Sequence, residues 1–140
     1  MLVSTKGRYA LRVLIDLAEH REQQEYVPLG SMAARQEISE KYLEAVLKPL
    51  VHAQIIAGSR GKGGGYRMLI DPEKITLGSV LRLVEPSLGT VSCLRENAES
   101  CPRADSCRTL PLWKELDAMI LSYLDSRTLA ELLEPAACSE

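Results

Sequence analysis

The segment at residues 38–70 constrains this chain most, because it reads as a helix that leads directly into a glycine-tipped hairpin. Its first half carries apolar residues at the spacing of one helix face, namely Leu43, Val46, Leu47 and Leu50. A short apolar run at residues 55–57 then predicts a strand, and a second strand is predicted at residues 66–70. The order helix, strand, loop and strand is typical of a winged helix-turn-helix.

The tip of the predicted hairpin, at residues 60–65, contains four glycines and two cations, Arg60 and Lys62. Glycines such as Gly63 and Gly64 have no side chain to keep the loop away from a phosphate backbone. The GxxxxGK(S/T) order of a nucleotide-binding loop is absent. The loop is therefore predicted to contact DNA through Arg60, Lys62, Gly63 and Gly64, and the alternative is a flexible turn without a ligand.

A second, shorter helix is predicted upstream at residues 29–35, with Met32 and Ala33 facing inward. A tight connection at residues 36–38 joins it to the helix that Ser39 caps, where Glu40 lies in the first turn and suits the helix dipole. Helix, short turn, helix and hairpin together predict a fold that is mainly α with a small β-hairpin wing.

Several segments spread along the chain resemble the signature segments of one family: residues 4–12, residues 38–39 with 42–44, and residues 60–61 with 63–66. Their combination resembles the IscR/NsrR/CymR family of bacterial transcription regulators, and the resemblance covers nearly the whole chain. It implies a winged-helix homodimer that binds double-stranded DNA. Many members of this family carry an iron–sulfur cluster.

The candidate DNA-contact residues of the second helix lie at its amino end, namely Ser39, Glu40, Lys41, Tyr42 and Glu44. Residues at the start of a recognition helix reach base edges, where lysine donates to guanine and glutamate accepts from cytosine. Tyr42 can instead belong to the core, and Glu44 can be simply solvated. The resemblance implies that Arg60 enters the minor groove, while Lys62 is expected to contact phosphate.

Two residues near the end of this helix depart from the usual pattern. Pro49 lies inside the helical stretch, where it removes a hydrogen bond, so we expect a kink or an early end. Relatives usually have a glycine shortly after this helix, whereas Gln54 stands here. Gln54 is therefore expected to take a left-handed cap conformation, unless the helix ends in another way.

Charge is distributed unevenly between the two halves of the chain. The net charge is −2, yet residues 1–70 hold ten Lys and Arg against seven Asp and Glu, while residues 71–140 hold seven against twelve. A basic front half fits a DNA-binding unit joined to a segment with another role. There is no apolar run long enough to span a membrane, and the N-terminus lacks the long apolar stretch of a signal peptide, so we expect a cytoplasmic protein without membrane partners.

Three cysteines, Cys93, Cys101 and Cys107, fall within a polar stretch at residues 87–109. In a cytoplasmic protein, thiols are more often free or metal-binding than joined in structural disulfides. Their spacing is too wide for a zinc knuckle and resembles the three-cysteine loop of cluster-binding family members. We predict an iron–sulfur cluster of two or four irons on them, and a thiol switch, zinc or no ligand are the alternatives.

The fourth cluster ligand is not evident. Some relatives use a histidine three residues after the third cysteine, where this chain has Leu110, and others use an acidic residue of the partner subunit, where it has Arg8. Asp105, Glu115, Cys138 and a small exogenous ligand are the remaining candidates. Cys138 lies two residues from the end of the sequence, and it is expected to be a free tail thiol.

Three further helices are predicted in the second half. Thr76 is predicted to cap the first, whose buried stripe is formed by Leu77, Val80, Leu81 and Val84. A long helix at residues 110–125 carries a wide apolar stripe, which predicts contact with a second copy of the chain. That stripe consists of Leu112, Trp113, Leu116, Met119, Ile120, Tyr123 and Leu124. A short closing helix capped by Thr128 is predicted at residues 126–133.

Three functional units follow from these observations: a DNA-binding domain at residues 1–85, a cysteine-bearing sensor loop at 86–109, and a dimerisation helix with a closing helix at 110–134. The chain is predicted to be a sequence-specific transcription regulator that senses iron–sulfur, redox or nitrosative status. The first alternative is a cluster-free regulator controlled by thiol oxidation or by a partner metabolic enzyme.

An alternative of another class is a thiol-disulfide or metal-transfer protein that uses the same cysteines. The chain contains no CxxC sequence, and no pairing of a nucleophile with a base stands out. We therefore predict that it is not an enzyme.

Overall fold

A computed structural model describes residues 3–21 and 25–134 of the protein. Five α-helices and one hairpin follow each other in this order: α1 (Thr5–Glu19), α2 (Leu29–Gln36), α3 (Glu40–His52), β1 (Ile56–Ser59), β2 (Gly65–Met68), α4 (Leu77–Val84) and α5 (Leu110–Ser126). Short 3₁₀ turns lie at Pro72–Lys74, Ser92–Leu94 and Ala130–Leu132. The predicted fold class, mainly α with a hairpin wing, is confirmed.

Helices α1 to α4 enclose one aliphatic core. The predicted stripe of α3 forms the middle of this core, since Leu43, Val46, Leu47 and Leu50 are completely buried. Helix α1 buries residues on more than one side, including Ala10, Val13, Leu14 and Leu17. Tyr9, Tyr42 and Tyr66 are partly buried and pack against the edge of this core.

The helix-turn-helix is formed by α2 and α3, and capping interactions define its turn. Glu37 adopts a left-handed conformation with φ of 56° and ends α2. The hydroxyl of Ser39 accepts a hydrogen bond from the backbone N–H of Tyr42 at 3.1 Å, so the predicted cap is confirmed. Glu40 lies in the first turn of α3, as predicted.

Of the two outcomes expected at Pro49, the early helix end is wrong, and the kink stays a prediction. Helix α3 continues through Pro49 to His52, and the carbonyl of Pro49 accepts a hydrogen bond from the N–H of Ala53 at 3.0 Å. Proline removes only its own donor, and the last turn of the helix forms beyond it. Gln54 takes the expected left-handed conformation with φ of 60°.

The hairpin pairs β1 with β2 in antiparallel register, with Ile56 opposite Met68 and Ser59 opposite Gly65. The observed bounds of both strands differ from the predicted bounds by one residue at the start and by two residues at the end. A third segment, which was not predicted, pairs with β2: Val27 donates to the carbonyl of Tyr66 at 2.8 Å and accepts from its N–H at 2.9 Å. The wing is therefore attached to the segment that enters α2.

The predicted cap and buried stripe of α4 are confirmed. The hydroxyl of Thr76 accepts from the N–H of Ser79 at 3.1 Å. All four predicted stripe residues are buried: Leu77, Val80, Leu81 and Val84.

The predicted closing helix at residues 126–133 is wrong. The backbone of Arg127 accepts from Leu77 at 2.9 Å, and Leu129 donates to Ile75 at 2.8 Å, so this stretch is extended and pairs with the segment before α4. Only the 3₁₀ turn Ala130–Leu132 follows, and the side chain of Thr128 does not cap it. The buried side chain of Leu129 anchors the segment in the core.

Helix α5 leaves the core domain and buries none of its own residues within the chain. It packs against α4, where Arg82 donates two hydrogen bonds to the carboxylate of Asp125 at 2.6 and 2.8 Å. Gly78 permits this approach, because a Cβ at that position would collide with Asp125.

Candidate nucleic-acid interface and cysteine loop

An open groove of about 770 Å³ lies between α3 and the hairpin. One side is formed by α3, the other by β1, the loop and β2, and the entry to α2 closes one end. The groove is lined by Pro28, Leu29, Glu44, Lys48, Val51, His52, Gly58, Ser59, Arg60, Gly61, Gly64, Gly65 and Tyr66. It therefore brings together predicted residues from the recognition helix and from the wing.

The amino end of α3 presents most of its predicted contact residues to solvent. Ser39, Glu40, Lys41 and Glu44 are all exposed. Tyr42 is half-buried and packs edge-on against the ring of Tyr9, with ring centroids 5.8 Å apart. Its ring is therefore a support for α3, and contact of these five residues with DNA remains a prediction.

The tip of the hairpin is narrow, and its two cationic side chains face solvent. Arg60 and Lys62 are exposed. Gly61 and Gly63 have φ of 89° and 79°, the left-handed region that favours glycine. The loop closes through a hydrogen bond from the N–H of Gly64 to the carbonyl of Gly61 at 3.0 Å. Contact of Arg60, Lys62, Gly63 and Gly64 with DNA likewise remains a prediction.

Tyr66 shows that the two sides of the groove influence each other electrostatically. Burial raises the pKa of its phenol, the negative charge of Glu44 raises it further, and Arg60 partly opposes this change. The phenol is therefore a protonated hydrogen-bond donor at neutral pH. Glu44 and Arg60 act on the same side chain although they come from different elements.

Lys48 and His52 were not among the predicted contact residues, yet both are exposed and line the groove. They follow Glu44 at intervals of four residues, so all three lie on one face of α3. This spacing was the available signal in the sequence. Only the amino end of the helix was predicted to contact DNA, because the first residues of a recognition helix reach base edges.

The cysteine-bearing loop between α4 and α5 has little burial to hold it. Within residues 87–109 only Leu88 is buried. Its clearest attachment to α5 is a hydrogen bond from the N–H of Thr90 to the carboxylate of Asp117 at 2.8 Å. Cys93 and Cys101 are exposed, and Cys107 is half-exposed.

Cys107 lies just before α5 and has a distinct environment. Its sulfur is 3.4 Å from the hydroxyl oxygen of Thr109. A hydrogen bond from this hydroxyl lowers the pKa of the Cys107 thiol, with further contributions from the backbone N–H groups of Thr109 and Leu110 and from the charge of Arg103. The fraction of thiolate, which is the form that binds metals and reacts with oxidants, is therefore larger than in an unperturbed cysteine.

The donor chemistry of this loop fits an iron–sulfur cluster, since three accessible thiols are present and the pKa of one is lowered. Their positions do not yet form a ligand set. Across residues 3–21 and 25–134, no group of three or more His, Cys, Asp or Glu side chains is placed to hold a metal. The loop would have to rearrange to gather Cys93, Cys101 and Cys107.

The candidate fourth ligands are equally dispersed. Asp105 and Glu115 are exposed, and Cys138 lies outside the described residues. Arg8 is exposed and lies 3.4 Å from the hydroxyl of Thr5, and Leu110 is the first residue of α5. Binding of metal by Asp105, Glu115 or Cys138 remains a prediction, whereas Arg8 and Leu110 only occupy positions where the resemblance implies a ligand in other family members.

No helix within the described part of the chain has both the length and the apolar character needed to cross a lipid bilayer.

Residues 3–135 match the model of the Rrf2 family, which is described as an iron-dependent transcriptional regulator. The transcriptional regulator IscR of Aliivibrio salmonicida is 38% identical over 133 residues, which are 95% of this chain and 77% of that protein. The IscR structure from T. potens has a TM-score of 0.74 at 32% identity and covers 96% of this chain and 87% of that one. CymR, the global cysteine regulator of B. subtilis, has a TM-score of 0.75 at 33% identity and covers 95% and 96%.

These relatives agree with the winged helix-turn-helix architecture and with the predicted absence of enzymatic activity. The match extends over nearly all of the chain, including the helix-turn-helix, the wing and the cysteine loop. The protein is therefore a member of the Rrf2 family of DNA-binding transcription regulators.

Proposed function

We propose that this regulator binds a near-palindromic DNA site as a homodimer in the cytoplasm, and that the state of its cysteine loop controls this binding. The observation that carries the DNA interface is the groove that joins α3 to the glycine-tipped wing. The amino end of α3 would lie in the major groove and read bases through Ser39, Lys41 and Glu44. Arg60 would enter the adjacent minor groove, and Lys62 would contact phosphate.

The exposed apolar face of α5 supports the homodimer. Leu112, Met119 and Tyr123 expose 55%, 64% and 58% of their surface in the single chain. A row of large apolar side chains on one helix is typical of a surface that another copy covers. A two-fold axis between the two copies of α5 would present two copies of α3 to successive major grooves.

The cysteine loop is placed to influence this dimer because it is the covalent link between α4 and α5. Cys93, Cys101 and Cys107 would hold the iron–sulfur cluster, of two or four irons. A bound cluster supplies a redox-active centre whose integrity depends on iron supply and oxidants. Ordering of the loop would set the angle between α5 and the DNA-binding domain, so loop state and DNA affinity would be reciprocally linked.

Absorption spectroscopy and DNA binding test this proposal together. Protein purified without oxygen should be brown and contain iron and sulfide, and Cys101→Ser should be colourless while Cys138→Ser keeps its colour. Operator affinity should differ between the coloured and colourless forms. Equal affinity would contradict control by the cluster, while loss of colour after Cys138→Ser would move that residue into the ligand set.

Arg60→Ala tests the DNA interface separately. Loss of the minor-groove side chain should abolish preference for the operator over unrelated duplexes. Arg21→Ala is the matched control, since Arg21 is an exposed arginine just after α1 that does not line the groove. Unchanged operator preference in Arg60→Ala would contradict the assigned interface.

A second candidate function is supported by the lowered pKa of Cys107. A cluster-free regulator would respond to oxidation of this thiol or to a partner metabolic enzyme. Colourless protein after anaerobic reconstitution, with operator binding that changes on oxidation, would favour this alternative.

A further inference from the structure

The face of α3 that borders the groove carries three ionisable side chains in a row. Glu44, Lys48 and His52 are separated by four residues each, all are exposed, and all line the groove. Glu44 lies nearer the amino end of α3, whereas His52 is its last residue. The face therefore changes along the helix from an acid to two basic side chains.

The opposite side of the groove offers hydrogen-bond donors and a further cation. Ser59 and Arg60 line it, together with the phenol of Tyr66, and glycines keep side chains out of the space between them. A Cβ at Gly64 would collide with the carbonyl of Ser59, so the narrow turn requires glycine at this position. Basic and donor groups on both sides of an open groove suit a chain of phosphates.

The position of the groove shows which phosphates of the DNA would occupy it. This step rests on the proposed DNA interface. If the amino end of α3 lies in the major groove and Arg60 lies in the adjacent minor groove, one sugar–phosphate strand must run between them, because a single backbone strand separates neighbouring grooves. We propose that Lys48 and His52 contact the phosphates of this strand. They would hold the protein in register while Glu44 and Arg60 address the bases on either side.

The charges along α3 agree with this division of roles. A carboxylate repels phosphate but accepts from base amino groups, so Glu44 belongs with the base edges. The carboxyl end of a helix carries a partial negative charge, which would disfavour phosphate unless basic side chains stand there. Lys48 and His52 occupy that end.

Duplex binding over a range of salt concentrations tests the assignment. Two duplexes are needed, one selected by the wild-type protein from a random library and one unrelated. Lys48→Ala should weaken binding to both by about threefold to tenfold and should lower the salt slope by about 1 for each subunit. Lys48→Arg should retain the slope, and Lys74→Ala is the control, since Lys74 is an exposed lysine that does not line the groove.

Substitutions of His52 include one that should increase the affinity for DNA. His52→Ala should weaken binding to both duplexes about threefold at neutral pH. His52→Lys should tighten both and steepen the salt dependence, because it places a permanent cation beside the phosphates. Because neither Lys48 nor His52 is buried, the thermal midpoint of unfolding of each variant should equal that of the wild type.

Two results would overturn the inference while the DNA interface stands. The first is wild-type affinity and slope in Lys48→Ala, and the second is a loss confined to the selected duplex, which would make Lys48 a base-reading residue. Failure of the interface itself has a different signature, namely unchanged preference for the selected duplex in Arg60→Ala.

Discussion

Arg35 donates two hydrogen bonds to the buried carboxylate of Asp16, at 2.9 Å and 2.7 Å. Gln36 donates a third at 2.9 Å, and Arg12 in turn donates to both the side chain and the backbone carbonyl of Gln36. Asp16 belongs to α1, whereas Arg35 and Gln36 form the end of α2. This network therefore sets the angle of the helix-turn-helix against α1.

Asp16→Asn should lower the free energy of unfolding by about 2 kcal/mol at neutral pH, since it removes the charge that partners Arg35. Arg35 keeps about a third of its side chain in solvent, which limits the cost. Glu19→Gln is the control, because Glu19 is exposed on the same helix and its substitution should change stability by less than about 0.5 kcal/mol.

The effect of Asp16→Asn should also depend on pH. Burial alone would raise the pKa of Asp16, but hydrogen bonds from Arg35 and Gln36 and the charge of Arg35 outweigh it and lower the pKa. A carboxyl with a lowered folded-state pKa stabilises the protein above its ordinary value near about 4 and loses this contribution as the pH falls toward the lowered value. The free energies of unfolding of the two proteins, measured in urea, should begin to converge as the pH falls below about 4 and should meet below the lowered pKa of Asp16. A difference that stays constant over this range would contradict the assignment.

Gly65→Ala should destabilise the protein by more than about 2 kcal/mol, because a Cβ there would collide with the carbonyl of Val27 and because φ is 142°. Gly63→Ala is the matched control: its φ is 79°, but a Cβ would meet nothing within 4 Å, so the cost should be about 1 kcal/mol. Urea unfolding measures both values. Equal costs would show that the pairing of Val27 with Tyr66 contributes nothing to stability.

Met119→Glu should convert the proposed homodimer into monomers, because it places a charge in the apolar face of α5. Analytical ultracentrifugation should show a dimer dissociation constant raised by roughly 100-fold or more. Lys114→Glu is a control on the same helix, since Lys114 is exposed and lies outside the apolar stripe. A dimer that survives Met119→Glu would place the interface elsewhere.

Thr109→Val should slow alkylation of Cys107 at neutral pH by about threefold, because it removes the hydroxyl that most lowers the pKa of this thiol. Mass spectrometry of the labelled peptides gives the rate for each cysteine. Cys93 and Cys101 serve as internal controls and should react at unchanged rates. An unchanged rate at Cys107 would show that Thr109 does not favour the thiolate.

The sequence by itself determined those parts of the fold that depend on neighbouring residues. Helical spacing identified the buried face of α3, and the caps at Ser39 and Thr76 followed from side chains that bond within three residues. The left-handed conformation of Gln54, in contrast, was expected only from the family resemblance. Local chemistry and helix geometry act over a few residues, and sequence patterns record them directly.

Tertiary structure decided what depends on contacts between distant segments. Val27 pairs with Tyr66, and Leu129 pairs with Ile75, which replaces the predicted closing helix with an extended segment. Asp16 of α1 accepts hydrogen bonds from Arg35 of α2. Lys48 and His52 line a groove only because the wing lies opposite them. Pairing and burial between distant segments depend on how the whole core packs, so they cannot be predicted from a local sequence pattern.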